Sequence, residues 1–389
     1  MFKKFKVIEL ASVLAGPSVG MFFAELGATV LKVENPKTNG DVTRSWKLKS
    51  ESKENDVTAY FSSVNWGKKS IGIDFSKKEG QEIIYDLVKD ADLVISSFKP
   101  KDDVKFNLDY STLSKINPKL IYAQITGFGL DSDKTGYDAI VQAATGFMFM
   151  NGEKGSIPTK MPVALMDVLS SHQLKEAVLL AIIQRMQTGK GSFVTTSLYN
   201  TGLASLVNQA TNWLVGKKVP QRIGSEHPNI VPYGSIFITK DKKEIVLAIG
   251  NDRQFQAICK ILGNSNLAFE EKFKHNFNRV QNRKETQNEL AKLISNFERD
   301  FLINELDKNQ IPASGIFDLK EVFEQELSQK MILKSDEILG VRSVAFDGIE
   351  KVREIAKPPH FNEHSKEILE EVLNYPKEKI SELEKLKII

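Results

Sequence analysis

A single cysteine, Cys259, occurs among the 389 residues. That excludes an internal disulfide framework and any multi-cysteine zinc site, and it points to a reducing compartment. Histidine is nearly as scarce, with five residues at 172, 227, 275, 360 and 364, and no metal centre is expected from them. A surplus of one charge is missing too. Lys and Arg number 53 against 50 Asp and Glu, a formal net charge of +3, so the basic excess that a phosphate-reading nucleic-acid surface needs is absent. No apolar run approaches the roughly 18 residues of a membrane span. The start, MFKKFKVIEL, is basic but meets Glu9 and then a Gly-Pro turn, which makes a poor secretory signal. The expectation is a cytoplasmic protein without membrane or nucleic-acid partners, whose chemistry rests on carboxylates, hydroxyls and backbone amides.

What is present is an ordinary globular composition, 41% apolar and 26% charged, with length for two or three folding units at roughly 150 residues each. KVIEL (6–10) reads as a buried strand, Gly16-Pro17 as a break, SVGMFFAELGA (18–28) as a helix and ATVLKVE (28–34) as a second strand. Strand, helix and strand within about thirty residues form a βαβ unit with parallel strands. The pattern recurs through 69–75, the amphipathic helix 78–91, and strands at 92–98 and 120–129. A doubly wound, Rossmann-like α/β domain follows. A long helix is expected over 165–187, where Leu169, Leu174, Val178, Ala181 and Ile182 form an apolar stripe, and a strand over 192–199. After Gly216 the texture changes. Residues 217–234 read as a linker or functional loop rich in Pro, Gly and charge, followed by a hairpin around Asp241-Lys242 and charged helices from 252 to about 309. The expected organisation is a large α/β domain beginning with 1–215, a smaller α+β domain over 225–325, and a segment 345–389 that returns to the large domain.

Four stretches hold more Gly, Pro and polar residues than a turn needs. VLAGP (13–17) stands at the carboxyl end of the first strand, where open α/β sheets bind ligands and the next helix offers amides to an anion. It is neither GxGxxG nor GxxxxGKS, so a nicotinamide or P-loop nucleotide site is unsupported. NWGKKS (65–70) sets Lys68 and Lys69 before a strand, where they either sit in solvent or hold phosphate as point charges. In GYDAIVQAATG (136–146), Tyr137 and Asp138 precede a small-residue helix that they could simply cap. Asp167, in ALMDVLSSH, is an acid among apolar residues at a helix start; it is either a bland first-turn carboxylate or a nucleophile. His172 lies five residues on, about 140° around the helix, and is not its partner.

In order, wording and spacing these blocks resemble the class III CoA-transferases, the family of formyl-CoA transferase, carnitine-CoA transferase and α-methylacyl-CoA racemase. The resemblance runs through IELASVLAGPSVGMFFAELGATVLKVE, GDVTRSW, NWGKKSIGIDF, KDADLVISSFKP, LIYAQITGFG, GYDAIVQAATGFM, the Asp167 helix, TGKGSFVTTSLYN and PPHFNEHSKEIL. Within the family, the stretch from NWLVGKKVPQ to QAICKILG most resembles the succinyl-CoA:glutarate CoA-transferase branch.

The resemblance implies Asp167 as the nucleophile that attacks a donor thioester. It implies coenzyme A contacts at Leu14, Ala15, Asn65, Lys68, Phe98, Lys105, Tyr137 and Asp138. Acyl-CoA and a small carboxylic or dicarboxylic acid are then the expected substrates, with succinyl-CoA as donor, no permanently bound cofactor and no metal. Arg222 and His227 are candidates for a second carboxylate of the acceptor. Formyl-CoA transferase has glutamine where this chain has Leu14, which puts a formyl or oxalyl substrate in doubt. It has arginine at the positions of Asn35 and Lys105, and for the former Lys32, Lys37 or Arg44 could substitute. Its glycine run has no counterpart here, and the 224–234 loop could take that place. Where the racemases have a histidine base this chain has Tyr137, an intrinsically weak base at neutral pH, so transfer outranks the alternative of a 2-methylacyl-CoA racemase. A CoA-binding protein without turnover is the remaining alternative, disfavoured by the retained Asp167. By the same resemblance the expected assembly is an interlocked homodimer, with linkers near 200–225 and 325–345 passing through the partner.

Overall fold

A computed structural model describes residues 1–335 and 338–389. The chain divides into two compact units: 1–145 with 161–214 and 330–389, and 146–160 with 215–329.

The first unit is built on a parallel sheet. Its strands are β1 (Lys6–Leu10), β2 (Thr29–Glu34), β3 (Lys68–Gly72), β4 (Leu93–Ser96), β5 (Ile121–Thr126) and β6 (Ser192–Ser197). Among the described residues they pair in the order β3-β2-β1-β4-β5-β6, all parallel. The order reverses between β1 and β4, the switch point where such sheets bind ligands. Helices α1 (Ala15–Glu25), α2 (Lys78–Val88), α3 (Tyr110–Ile116), α4 (Asp138–Ala144) and α5 (Leu165–Thr188) fill the connections.

Both faces of the sheet's central strands are covered, which explains the short apolar runs of β1 and β4, while the edge strand β6 alternates between half-buried and exposed residues. On one face, Ile8, Leu31, Ile71 and Val94 pack with Ile84 and Leu87 of α2 and with Ile368, Ile380 and Ile388 of the C-terminal segment. Each such side chain contributes about 1.5–3 kcal/mol by burial. That segment also adds backbone: Asp74 N–H donates to Ile388 O at 2.7 Å, and Asn362 Oδ1 accepts from Gly72 N–H at 2.7 Å. The other face carries α1 and α5, which pack on each other and on the sheet.

This second face is not purely apolar. Glu9 and Lys32 are neighbours in the β1–β2 register, fully buried, with Lys68 beside them. They fit because α1 has glycine above them: a Cβ on Gly20 would lie 1.9 Å from Glu9 Oε2.

The second unit has a separate antiparallel sheet, β7 (Tyr233–Ile238), β8 (Glu244–Ala248) and β9 (Ala313–Gly315). Its core gathers Phe237, Ile245 and Leu247 with Phe255, Leu290 and Leu302 from the surrounding helices. No helix among the described residues is long and apolar enough to cross a membrane.

Candidate active site

Asp167 occupies the first turn of α5. The helix begins after a run containing Pro158 and Pro162, and its N-cap position, Ala164, makes no side-chain cap. The cap comes from elsewhere. Asp138 Oδ1 accepts from Met166 N–H at 2.8 Å, and Asp138 Oδ2 accepts from Gln142 Nε2 at 2.7 Å. Asp167 itself is half-buried and receives no hydrogen bond among the described residues. Burial, and then the Asp138 charge, push its carboxyl up to about 7. A carboxylic acid poised there exchanges its proton at neutral pH, and its ionised form is a weakly solvated nucleophile.

Tyr60, on the short helical turn Ala59–Ser62, belongs to the same neighbourhood. Burial, followed by the charges of Asp167, Asp138 and Asp41, raises its phenol above the usual range. The Trp46 ring meets it edge-on at 4.9 Å. Tyr60 is not legible as a site residue in the sequence: it stands in an apolar run, AYF, that fits an ordinary core.

A cavity of about 860 Å³ opens at the carboxyl ends of β1, β2 and β4, lined among others by Ala11, Ser12, Asn35, Asp41, Phe98 and Lys99. Phe98 thus stands at the switch point, in edge-on contact with Phe75. Lys105 is exposed on the turn Asp102–Lys105, its ammonium 5.6 Å from the Phe106 ring centre; Lys99 and Asp102 line the cavity instead. Leu14 holds the N-cap position of α1 without a side-chain cap, and Ala15 is buried in its first turn.

Asn65 and Lys68 do not face this cavity. Both are buried. Lys68 Nζ donates to Glu9 Oε1 at 2.9 Å, to Pro17 O at 2.9 Å and to Asn65 Oδ1 at 2.8 Å, which uses the three hydrogens of an ammonium. Lys69 pairs with Glu367. The three cations weighed as substitutes at Asn35 are also committed: Lys32 to Asp41 at 2.9 Å, Lys37 to Asp74 at 2.9 Å, and Arg44 to Glu34 at 2.7 Å. Tyr137 precedes α4 and is 63% exposed. Arg222 and His227 lie on the second unit. Arg222 Nη1 donates to Phe149 O at 2.6 Å, and His227 Nδ1 accepts from Asn229 N–H at 3.2 Å. The loop around them is tied by Arg283, which donates to Glu226 Oε2 and His227 O, both at 2.9 Å.

Lys32 and Asp41 form a buried ion pair under the turn between β1 and α1. Lys32 Nζ also reaches Glu9 Oε1 at 3.2 Å and Ala11 O at 2.9 Å. Burial opposes both charges. Asp41, Glu9 and Glu34 outweigh it for Lys32, which is held above the usual lysine range; Lys32 and the Thr43 donors outweigh it for Asp41, which is held below the usual carboxylate range. The Asp41 carboxylate accepts Val13 N–H with both oxygens, at 3.3 and 3.2 Å. Val13 has φ of 71°, a left-handed conformation that costs a non-glycine residue about 1–3 kcal/mol and is an outlier for a β-branched side chain.

A family model described as CoA-transferase family III matches residues 2–365. The chain is 37% identical over 380 residues to a succinate–glutarate CoA-transferase of Agrobacterium fabrum, covering 94% of each. It is 35% identical to the succinyl-CoA:glutarate CoA-transferase of Mus musculus, over 97% of this chain and 88% of that protein. Among solved structures, a CAIB/BAIF family protein from Brucella suis superposes with a TM-score of 0.85 at 37% identity, covering 95% of this chain and 98% of that one.

Proposed function

The chain belongs to CoA-transferase family III and is a CoA-transferase, and from that premise we propose that it moves coenzyme A from succinyl-CoA to a small dicarboxylic acid, with Asp167 as the covalent nucleophile. The observation that carries the assignment of Asp167 is its setting: a half-buried carboxyl in a helix first turn, unpaired with any cation, pushed up to about 7 by burial and by Asp138.

An Asp167 carboxylate oxygen attacks the thioester carbonyl; the C–S bond breaks, leaving a mixed anhydride and CoA thiolate. The thiolate attacks the aspartyl carbonyl, releasing the donor as a free carboxylate and leaving an aspartyl-CoA thioester. The acceptor carboxylate attacks that thioester, and the thiolate then takes the acceptor acyl group and restores Asp167. No net proton is consumed and no outside energy source is needed. The setting favours this course. An ionised Asp167 bears a desolvation cost and repulsion from Asp138, while the anhydride and the thioester are neutral and bear neither.

Of the residues suggested by resemblance, Phe98 is proposed to contact the adenosine end of coenzyme A in the cavity at the sheet's switch point, and Leu14 and Ala15 to offer first-turn amides. Asp138 is proposed to act through Met166 and Asp167, and Lys68, itself fixed by Asn65, to act by holding Glu9. Tyr137 and Lys105 are proposed as outer contacts of the thioester substrate. For the second carboxylate of the acceptor the candidate cations are Arg222 and His227; Arg222→Ala is expected to raise KM for a dicarboxylate and leave that for a monocarboxylate unchanged. A homodimer in a reducing, cytoplasmic setting is proposed as well. Its support is the stripe of Leu180, Ile183 and Met186 on α5, 67%, 53% and 81% exposed, more apolar surface than a solvated helix face carries.

The test is a mass-spectrometric screen of succinyl-CoA, with acetyl-CoA as control, against C4 to C6 dicarboxylic acids. New acyl-CoA and free succinate in equal amounts support the reading; hydrolysis alone, or no turnover with any acid, contradicts it.

A further inference from the structure

Asp41 poses a problem for the reading above, on which this inference rests. The residue is among those lining the cavity assigned to the adenosine end of coenzyme A, where a negative charge opposes phosphate binding, yet its side chain is fully buried. Nothing in that role requires an acid. The geometry supplies another role: the carboxylate turns inward, takes the Val13 amide on both oxygens, and is itself fixed by Lys32 at 2.9 Å and by Thr43 Oγ1 at 2.8 Å.

We propose that Asp41 is a positioning residue for the acyl-CoA substrate: by accepting the Val13 amide it holds the turn between β1 and α1, whose Ala11 and Ser12 line the cavity, in a left-handed conformation that fixes the direction of the first amides of α1.

Three features bear on this. Lys32 grips the same turn one step earlier, through Ala11 O at 2.9 Å, so the ion pair fastens both sides of Ser12. The turn has little room to relax, since a Cβ on Gly16 would lie 2.5 Å from Ala11 Cβ. The helix that follows has no side-chain cap of its own, leaving first-turn amides without intrahelical partners. A valine relaxes out of φ 71° once the acceptor is removed, carrying Leu14 and those amides with it. Glycine has no such preference.

That contrast supplies the test. Asp41→Ala, Asp41→Asn and Val13→Gly are made singly and as double variants, and KM for succinyl-CoA, kcat and thermal midpoint are measured. Asp41→Ala is expected to raise KM about tenfold or more, with a smaller change in kcat. Val13→Gly alone leaves KM within about twofold, and the Val13→Gly/Asp41→Ala double variant recovers most of the loss. A residue acting only as the cap of the following Val42–Ser45 turn would show no rescue from position 13, so an unrecovered KM, or a normal KM in Asp41→Ala, overturns the proposal. Should neither Asp41 variant fold, the double variants are expected to fold, and their failure also overturns it. If the wild-type protein binds no acyl-CoA by calorimetry, the functional reading fails and the ligand half of this proposal with it. The coupling of Val13 and Asp41 in thermal midpoint then still decides the turn, and additive effects of the two substitutions reject it.

Discussion

Asp138 Oδ1 accepts a 2.8 Å hydrogen bond from the backbone N–H of Met166, the residue before Asp167. One side chain thereby closes the start of α5 in place of a local cap and sets a second negative charge near the proposed nucleophile. The two effects are separable. Asparagine at 138 keeps an acceptor for Met166 N–H and discards the charge, whereas alanine discards both.

The first expectation concerns pH. Asp167 reacts as the carboxylate, so kcat/KM for the donor rises with pH and levels off above a midpoint of about 7. In Asp138→Asn one of the two causes of the raised value is gone and the midpoint moves down; a midpoint still at about 7 removes Asp138 from the account.

The same carboxyl makes a stability argument. The folded chain holds the Asp167 proton up to about 7, while the unfolded chain releases it near 3.9. The native state therefore binds more protons between those values, and stability is lost as pH rises through that window and stays lost above it. Asp167→Asn is expected to stabilise the protein at pH 8 on the order of 2 kcal/mol, after allowance for partial exposure, with the gain shrinking toward pH 4. Urea denaturation at several pH values reads this; a pH-independent difference contradicts it.

Gly20 gives a purely steric expectation. An alanine Cβ there meets the buried Glu9 carboxylate at 1.9 Å, with Lys68 Cε at 3.3 Å. Neither has room to retreat, because Glu9 is pinned by Lys32 and Lys68. Gly20→Ala is expected to cost about 1–3 kcal/mol or more, although alanine is the better helix former. A loss under about 0.5 kcal/mol in denaturant titration would show that the cluster is looser than described.

Most of the sheet was legible because buried strands leave short apolar runs bounded by turn residues, as in KVIEL of β1 and LVIS of β4. The long helix matched its stripe to within a residue, at Leu165–Thr188. The start of α1 was not legible. Gly16 and Pro17 read as a break, yet both lie inside its first turn, where a missing N–H costs nothing. Lys68 misled for a related reason. A lysine beside a glycine looks solvent-facing, and nothing local announces that Glu9, 59 residues away, waits for it inside the fold. The pair His360 and His364 stands four apart, but the first bonds Asp56 Oδ1 at 2.5 Å and the second accepts from Ser70 N–H at 3.3 Å, so the two serve to fasten the C-terminal segment. Asp167 was legible as an acid out of place among apolar neighbours, while its raised pKa and its dependence on Asp138 come from tertiary packing.

The central claim is that Asp167 carries the acyl and CoA groups in turn, and trapping tests it most directly. The protein is incubated with succinyl-CoA, quenched with hydroxylamine or borohydride, digested and sequenced by mass spectrometry. The account requires a hydroxamate or reduced side chain at Asp167, absent without donor and absent in Asp167→Asn, which should also lose turnover by roughly a thousandfold or more. Modification at any other residue, or full exchange in the Asp167→Asn protein, would contradict it.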